Sequence, residues 1–280
     1  MTWGIASYET RIRWIAALWA ILTTFLIMCP LSWTVTFIIL GGWIAITVIP
    51  SLAFAWWRPR VTRGVPIFLR FVSVGETPNA SEPEANTIRP RELDRLIYNL
   101  LIAGYQFQTV DEALVAPARK SIVMTFDGGY RDIVHQLLPI LKKHNVKATC
   151  FITNRCDVDA RYLKALEIQE VLRSGLVTFS SYLPEDVPAT EAKEFLTVNR
   201  NWLIGITRHI PSAVAVASKQ MNPSLQAVIQ EVGFKAAFIT HRKMYPVADA
   251  PYAIHRQPIL RDYHGWQAYF LVTRGRWRAF

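Results

Sequence analysis

The fold is decided by the stretch Ser121-Ile-Val-Met-Thr-Phe-Asp127-Gly128-Gly129-Tyr130-Arg131-Asp132. Its first six residues are a short, largely apolar run bounded by turn-forming residues, which is typical of a buried β-strand. A carboxylate and two glycines follow directly, and this pattern marks the end of a strand. The stretch therefore predicts a strand, Ser121–Phe126, that delivers Asp127 to one edge of a sheet.

Strands and helices alternate on both sides of this stretch. Further strands are predicted at Val65–Val74, Ala148–Ile152, Leu176–Phe179, Ala213–Ala217, Phe234–Ile239 and Ala253–Arg256. Helices are predicted at Arg91–Ala103, Ile133–His144, Tyr162–Arg173, Thr190–Ile204 and Pro223–Val232. Such alternation implies parallel strands with helical crossovers. Roughly six or seven units favour an α/β protein of the irregular (β/α) barrel type, and a doubly wound open sheet is the alternative.

An uncharged region precedes this α/β domain. The 44 residues from Trp14 to Trp57 carry no charged side chain, which is enough for two membrane-spanning helices of about 20 residues each. Pro30 favours a turn near the middle of the run. We therefore predict an N-terminal region, 1–57, that holds a transmembrane hairpin with helices 14–28 and 33–55. The α/β domain is predicted at 64–280.

Basic residues flank the predicted hairpin at both ends, whereas its turn has none. The positive-inside rule then predicts a two-pass protein of the inner (plasma) membrane, with both termini and the main domain in the cytoplasm. If the first run does not span, the domain lies on the opposite side. The net charge of +10 favours contact with anionic membrane lipid or an acidic partner, and no nucleic acid is expected.

Three cysteines are too few for a disulfide framework. Cys150 and Cys156 lie close together in the sequence. Free buried thiols are favoured over a bridge between these two residues.

Several motifs together resemble the polysaccharide deacetylase family, also called NodB-homology or carbohydrate esterase family 4. In that family a strand ends in Thr-Phe-Asp-Asp-Gly-Tyr, and the runs Leu-Pro-Ile-Leu and Ala-Thr-Phe-Phe follow. Here the matching residues are Thr125–Tyr130, Leu138–Leu141 and Ala148–Phe151. The resemblance extends roughly from Gly64 to Asp262, and it is closest to the branch that acts on poly-N-acetylglucosamine exopolysaccharides. It implies a deformed β/α barrel with its site at the C-terminal ends of the strands.

The resemblance also implies residue roles. A divalent metal (Zn, Co or Ni), held by one Asp and two His, activates water for removal of an N-acetyl group in this family. Asp127 matches the general base and His255 the general acid, both as vestiges. The three ligand positions are occupied by Gly128, Ser181 and Glu185. Because a catalytic metal needs about three protein ligands, we expect no metal cofactor here. Without a metal, Asp127 is interpreted as a cap of the following turn and helix.

Three functions remain open on the sequence. The first is a catalytically inactive homologue with a structural or regulatory role, partnered with a membrane glycosyltransferase or other exopolysaccharide machinery. The second is an active carbohydrate N-deacetylase with an atypical site. The third is a binding module in which Arg70 and Arg256 hold a sugar or an anionic nucleotide.

Overall fold

The computed structural model describes residues 35, 41–42, 65–75, 87–157, 160–218, 220–240, 251–261 and 263–274. Apart from three positions in the second helix, the predicted transmembrane helices 14–28 and 33–55 lie outside these residues. Within the described part, no helix combines the length and the apolar character needed to span a bilayer. The chain divides into two compact units, Met1–Arg58 and Pro59–Phe280, and the fold below is that of the second.

The second unit alternates strands with helices. Its described strands are β1 (Ile67–Phe71), β2 (Ser73–Val74), β3 (Thr87–Ile88), β4 (Gln106–Phe107), β5 (Ser121–Asp127), β6 (Ala148–Ile152), β7 (Val177–Leu183), β8 (Ala213–Val216), β9 (Ala236–Thr240) and β10 (Ile254–Pro258). Its described α-helices are α1 (Pro90–Ile102), α2 (Val110–Val115), α3 (Leu138–His144), α4 (Ala165–Arg173), α5 (Ala192–Thr207), α6 (Pro223–Val232) and α7 (Gly265–Arg274).

Seven parallel strands of the described chain close a barrel in the order β1, β5, β6, β7, β8, β9, β10. Closure depends on β1, which pairs with β5 on one side and with β10 on the other. The short strand β4 pairs with the start of β5, where Gln106 lies opposite Ser121. The barrel prediction is confirmed, and the alternative of an open sheet is wrong.

Alternate residues on each strand face the barrel interior and the surrounding helices. The interior holds an apolar cluster that includes Phe68, Val123, Phe151 and Phe238. The outward residues pack under the helices in two further clusters. Toward the C-terminal ends of β1, β5 and β10, the inward positions change from apolar to charged, and this change positions the candidate site.

Several elements differ from their predictions. The predicted strand Val65–Val74 is divided into β1 and β2, and β2 pairs with β3 in a separate two-stranded sheet. Two further differences have identifiable reasons. The predicted helix Ile133–His144 begins as a π-helix, Ile133–Leu137, because Pro139 has no N–H to donate to the carbonyl of His135. The predicted strand Leu176–Phe179 continues to Leu183. Its two serines look like a loop in the sequence, but both hydroxyls are hydrogen-bonded within the fold.

Candidate functional site

Asp127 lies at the C-terminal end of β5 and is almost fully buried, with 1% of its surface exposed. Arg256 of β10 donates to both of its oxygens, at 2.5 Å to Oδ1 and 2.9 Å to Oδ2. Arg70 of β1 donates from Nε to Oδ2 at 2.7 Å. The closed barrel explains this cluster, because β1 lies between β5 and β10.

Thr125 supports the same cluster from two residues earlier on β5. Its hydroxyl donates to the carbonyl of Leu69 at 2.7 Å and accepts from Arg256 at 3.1 Å. The guanidinium carbon of Arg256 also lies 5.3 Å from the centre of the Phe151 ring, at a distance typical of a cation–π contact. Arg256 is fully buried, and these contacts replace the hydration of its terminal nitrogens, whereas its Nε has no hydrogen-bond partner among the described residues.

The charges of Asp127, Arg256 and Arg70 determine the protonation states of these side chains. Burial alone would raise the pKa of Asp127, but attraction and hydrogen bonding to Arg256 and Arg70 outweigh it and lower the pKa. Burial would likewise lower the pKa of Arg70, but Asp127 and, to a smaller extent, Tyr182 raise it. Asp127 is therefore a carboxylate and Arg70 a guanidinium at neutral pH.

The predicted capping role of Asp127 does not match these contacts. The side-chain hydrogen bonds found for its oxygens come from the two arginines rather than from the backbone N–H groups that follow. The physical reason is that β1 and β10 bring the two guanidinium groups against the carboxylate.

Gly128 follows Asp127 with φ of +96°, a backbone conformation that residues with a Cβ rarely adopt. A Cβ added here would lie 2.8 Å from Cε2 of Tyr130. The position at which the family signature has a metal-binding Asp is therefore shaped around a glycine in this chain.

The other two positions matched to the family's metal ligands lie apart from each other. Ser181 is fully buried on the outer face of β7, where its hydroxyl accepts from Nδ2 of Asn199 at 2.7 Å. Glu185 is exposed and lines the mouth of a cleft above Asp127. The fold brings Glu185 toward Asp127 and keeps Ser181 away from it.

His255 precedes Arg256 on β10, so the alternation of the strand turns it away from the barrel interior. It is not among the residues that line the cleft. Its neighbour Arg256 takes the inward position instead. Both predicted ligand-binding arginines, Arg70 and Arg256, thus meet at Asp127, while His255 does not join them.

A cleft of about 540 Å³ opens above Asp127 at the C-terminal end of the barrel. Arg70, Asp127 and Gly128 line its floor. Its walls include three tyrosines and a rim of charged residues, namely Tyr130, Tyr162, Tyr182, Arg155, Glu185 and Asp186. Sequence reasoning missed the tyrosines. The signal for Tyr182 was its position on β7, in register with the end of the barrel, which becomes visible only when the strand is extended to Leu183.

The residues present do not fit the family's metal. Both oxygens of Asp127 already accept from guanidinium groups, Gly128 offers no donor, and the Ser181 hydroxyl is bound to Asn199. In the part of the chain that the structure describes, no group of three or more His, Cys, Asp or Glu side chains is arranged to hold an ion. The arrangement of these side chains therefore supports no hydrolytic step through a metal.

Comparison with known proteins finds one family model that matches part of the chain. Residues 115–237 match the family model described as polysaccharide deacetylase. This part of the chain is similar to a polysaccharide deacetylase domain. Over 79 residues the chain is also 32% identical to the "Putative polysaccharide deacetylase YxkH" of Bacillus subtilis (strain 168). That match covers 26% of the present chain and spans 28% of the length of YxkH.

Solved structures of the family share the barrel. The deacetylase PplD of Streptococcus pyogenes, in complex with acetate, superposes with a TM-score of 0.67 and 18% identity, over 76% of this chain and 99% of PplD. The de-N-acetylase of Aggregatibacter actinomycetemcomitans gives a TM-score of 0.62 and 16% identity, over 73% of this chain and 99% of that one. At these identities the likeness establishes the fold of the polysaccharide deacetylase domain.

Proposed function

We propose that this polysaccharide deacetylase-like protein has lost metal-dependent hydrolysis and acts as a structural or regulatory component of exopolysaccharide synthesis or modification. The observation that carries the proposal is the state of Asp127. A general base needs an oxygen directed at the water it activates, whereas both oxygens of this carboxylate accept from Arg256 and Arg70. A base held so strongly in its ionised form also has little tendency to take a proton.

The names of similar solved structures indicate the chemical class of a ligand for the cleft. The similar solved structures include a deacetylase bound to acetate and a de-N-acetylase, so a glycan is the first candidate for the cleft. The proposed setting is a two-pass anchor in the inner membrane, in contact with lipid and with a membrane glycosyltransferase or similar machinery. A reporter fused after Phe280 tests the anchor: cytoplasmic signal from the membrane fraction supports it, and signal from the soluble fraction alone contradicts it.

A direct experiment tests the loss of hydrolysis. The full-length chain is incubated with oligomers of N-acetylglucosamine and added Zn²⁺, Co²⁺ or Ni²⁺, and released acetate is measured. We expect no more acetate from the native chain than from Asp127→Asn, because a carboxylate bound by two guanidinium groups activates no water. A metal-dependent deacetylase in the same assay provides the positive control. Acetate release that needs both added metal and Asp127 would contradict the proposal.

An active N-deacetylase with an atypical site is the second candidate. One observation favours it: Asp127 is ionised and lies at the floor of an open cleft, at the place of the family's general base. The same assay separates the two candidates, because only the second predicts that Asp127→Asn removes an activity.

A further inference from the structure

The floor of the cleft carries an unbalanced positive charge. Arg70 and Arg256 share the single carboxylate of Asp127, so among the described residues one positive charge is left without a carboxylate at the end of the barrel. Arg256 is fully enclosed, whereas 16% of the Arg70 side chain is exposed and lines the cleft. Because an enclosed charge without a counter-ion is costly, the excess favours an anion beside Arg70.

The acidic residues at the rim compensate this charge only weakly. Asp186 is paired with Arg155 at 2.6 Å, and both side chains are about half exposed. Glu185 is exposed at the mouth of the cleft, where water screens its charge. Among the described lining residues, the enclosed part of the cleft therefore keeps its positive character.

The geometry of Arg70 suits a carboxylate ligand. Its Nε–H is directed at Asp127 and a further N–H bonds the Tyr182 side chain, which leaves up to three of the five N–H groups of its planar fork. Such a fork binds a carboxylate through two parallel hydrogen bonds. Tyr182 lies close enough to raise the pKa of Arg70, so a tyrosine hydroxyl is also present beside the proposed anion position.

Aromatic rings form the neighbouring wall. Tyr130 and Tyr162 stack with their centres 4.9 Å apart and 24° between their planes, and both line the cleft. Aromatic faces carry negative charge density, and they attract the polarised C–H groups of a sugar ring. We propose that the cleft binds an acidic sugar, with the ring against these tyrosines and the carboxylate of a uronic acid on Arg70. This deepens the proposed function, because it assumes that the cleft holds a glycan without hydrolysing it.

Paired titrations test the proposal. Trigalacturonate and the trimer of N-acetylglucosamine are titrated into the full-length chain by calorimetry. We expect the acidic trimer to bind at least about tenfold more tightly, since hydrogen bonds between charged groups are roughly twice as strong as those between neutral groups. Arg70→Gln should remove that preference, and Arg70→Lys, which keeps the charge and loses the fork, should retain part of it. Glu185→Gln should strengthen binding of the acidic trimer about twofold to fivefold.

A control variant and a folding measurement separate loss of ligand binding from loss of the fold. Arg173→Gln, on the exposed end of α4, removes one positive charge away from the cleft and should leave binding unchanged. Circular dichroism shows whether each variant is folded. Equal binding of the two trimers, no binding of either, or unchanged binding by folded Arg70→Gln would overturn the proposal. Acetate measured in the same samples tests hydrolysis separately, so the inactive-homologue proposal and this one fail by different readouts.

Discussion

Asp127 is held by contacts that come from three strands of the barrel. Its carboxylate lies on β5, while Arg70 and Arg256 reach it from β1 and β10. Charges buried in this way are strongly dependent on their partners, because a lone buried charge has neither water nor a counter-ion. The residue that the family uses for chemistry is therefore expected to contribute to the stability of this chain.

The stability of the protein should follow the titration of Asp127. Its pKa is lowered from the ordinary value of 3.8, so its stabilisation is complete above that pH and is lost as the pH falls through the lowered pKa. We expect Asp127→Asn to reduce the free energy of unfolding by about 3–5 kcal/mol near neutral pH. Denaturant unfolding of both proteins across pH measures the difference, which should shrink in acid. Asp186→Asn, at an exposed pair, serves as the control and should cost less than about 1 kcal/mol.

The turn after β5 shows which features of the site the sequence predicts and which it does not. The pattern of apolar residues and glycines predicted the strand and its end, because both depend on local preferences. The two arginine contacts could not be predicted, since they depend on which strands become neighbours when the barrel closes. The likeness to the family located Gly128, but only the fold shows that the position has a positive φ and a tyrosine ring above it.

Gly128→Ala tests how closely this turn is adapted to glycine. The positive φ and the 2.8 Å approach to Tyr130 should make the change destabilising by about 1–3 kcal/mol. Gly205→Ala is the matched control, because Gly205 lies in α5 with nothing within 4 Å of an added Cβ. There we expect a gain of about 0.5–1 kcal/mol from helix propensity. Thermal unfolding measures both variants, and equal effects would contradict this description of the turn.

Strand β7 shows that a match to a family motif does not by itself locate a side chain in the fold. Counting along the family motif placed Ser181 among the metal-ligand positions, but the strand turns its side chain toward α5 and Asn199. A shift of one position along a strand exchanges the two faces of a sheet, so a sequence match without the strand's register does not fix where a side chain points. The inward residue next to it, Tyr182, is the one that lines the cleft.

At the scale of the whole molecule, a barrel shared with polysaccharide deacetylases carries a cluster of two arginines and one aspartate at the floor of its cleft. The apolar interior and the closed ring of strands agree with a polysaccharide deacetylase domain. The positions that the sequence match assigns to metal ligands hold a glycine, a hydrogen-bonded serine and a rim glutamate, and two arginines bind Asp127. This arrangement favours the binding of an anion over the binding of a divalent cation, since the cleft floor is already positive.

Titration of Zn²⁺ into the full-length chain shows whether the floor of the cleft binds a divalent cation. Calorimetry at neutral pH, repeated with Asp127→Asn, shows whether an ion binds at the floor of the cleft. Our account predicts that the two proteins give the same titration, with no binding that depends on Asp127. One Zn²⁺ bound per native chain and lost in a folded Asp127→Asn variant would contradict it.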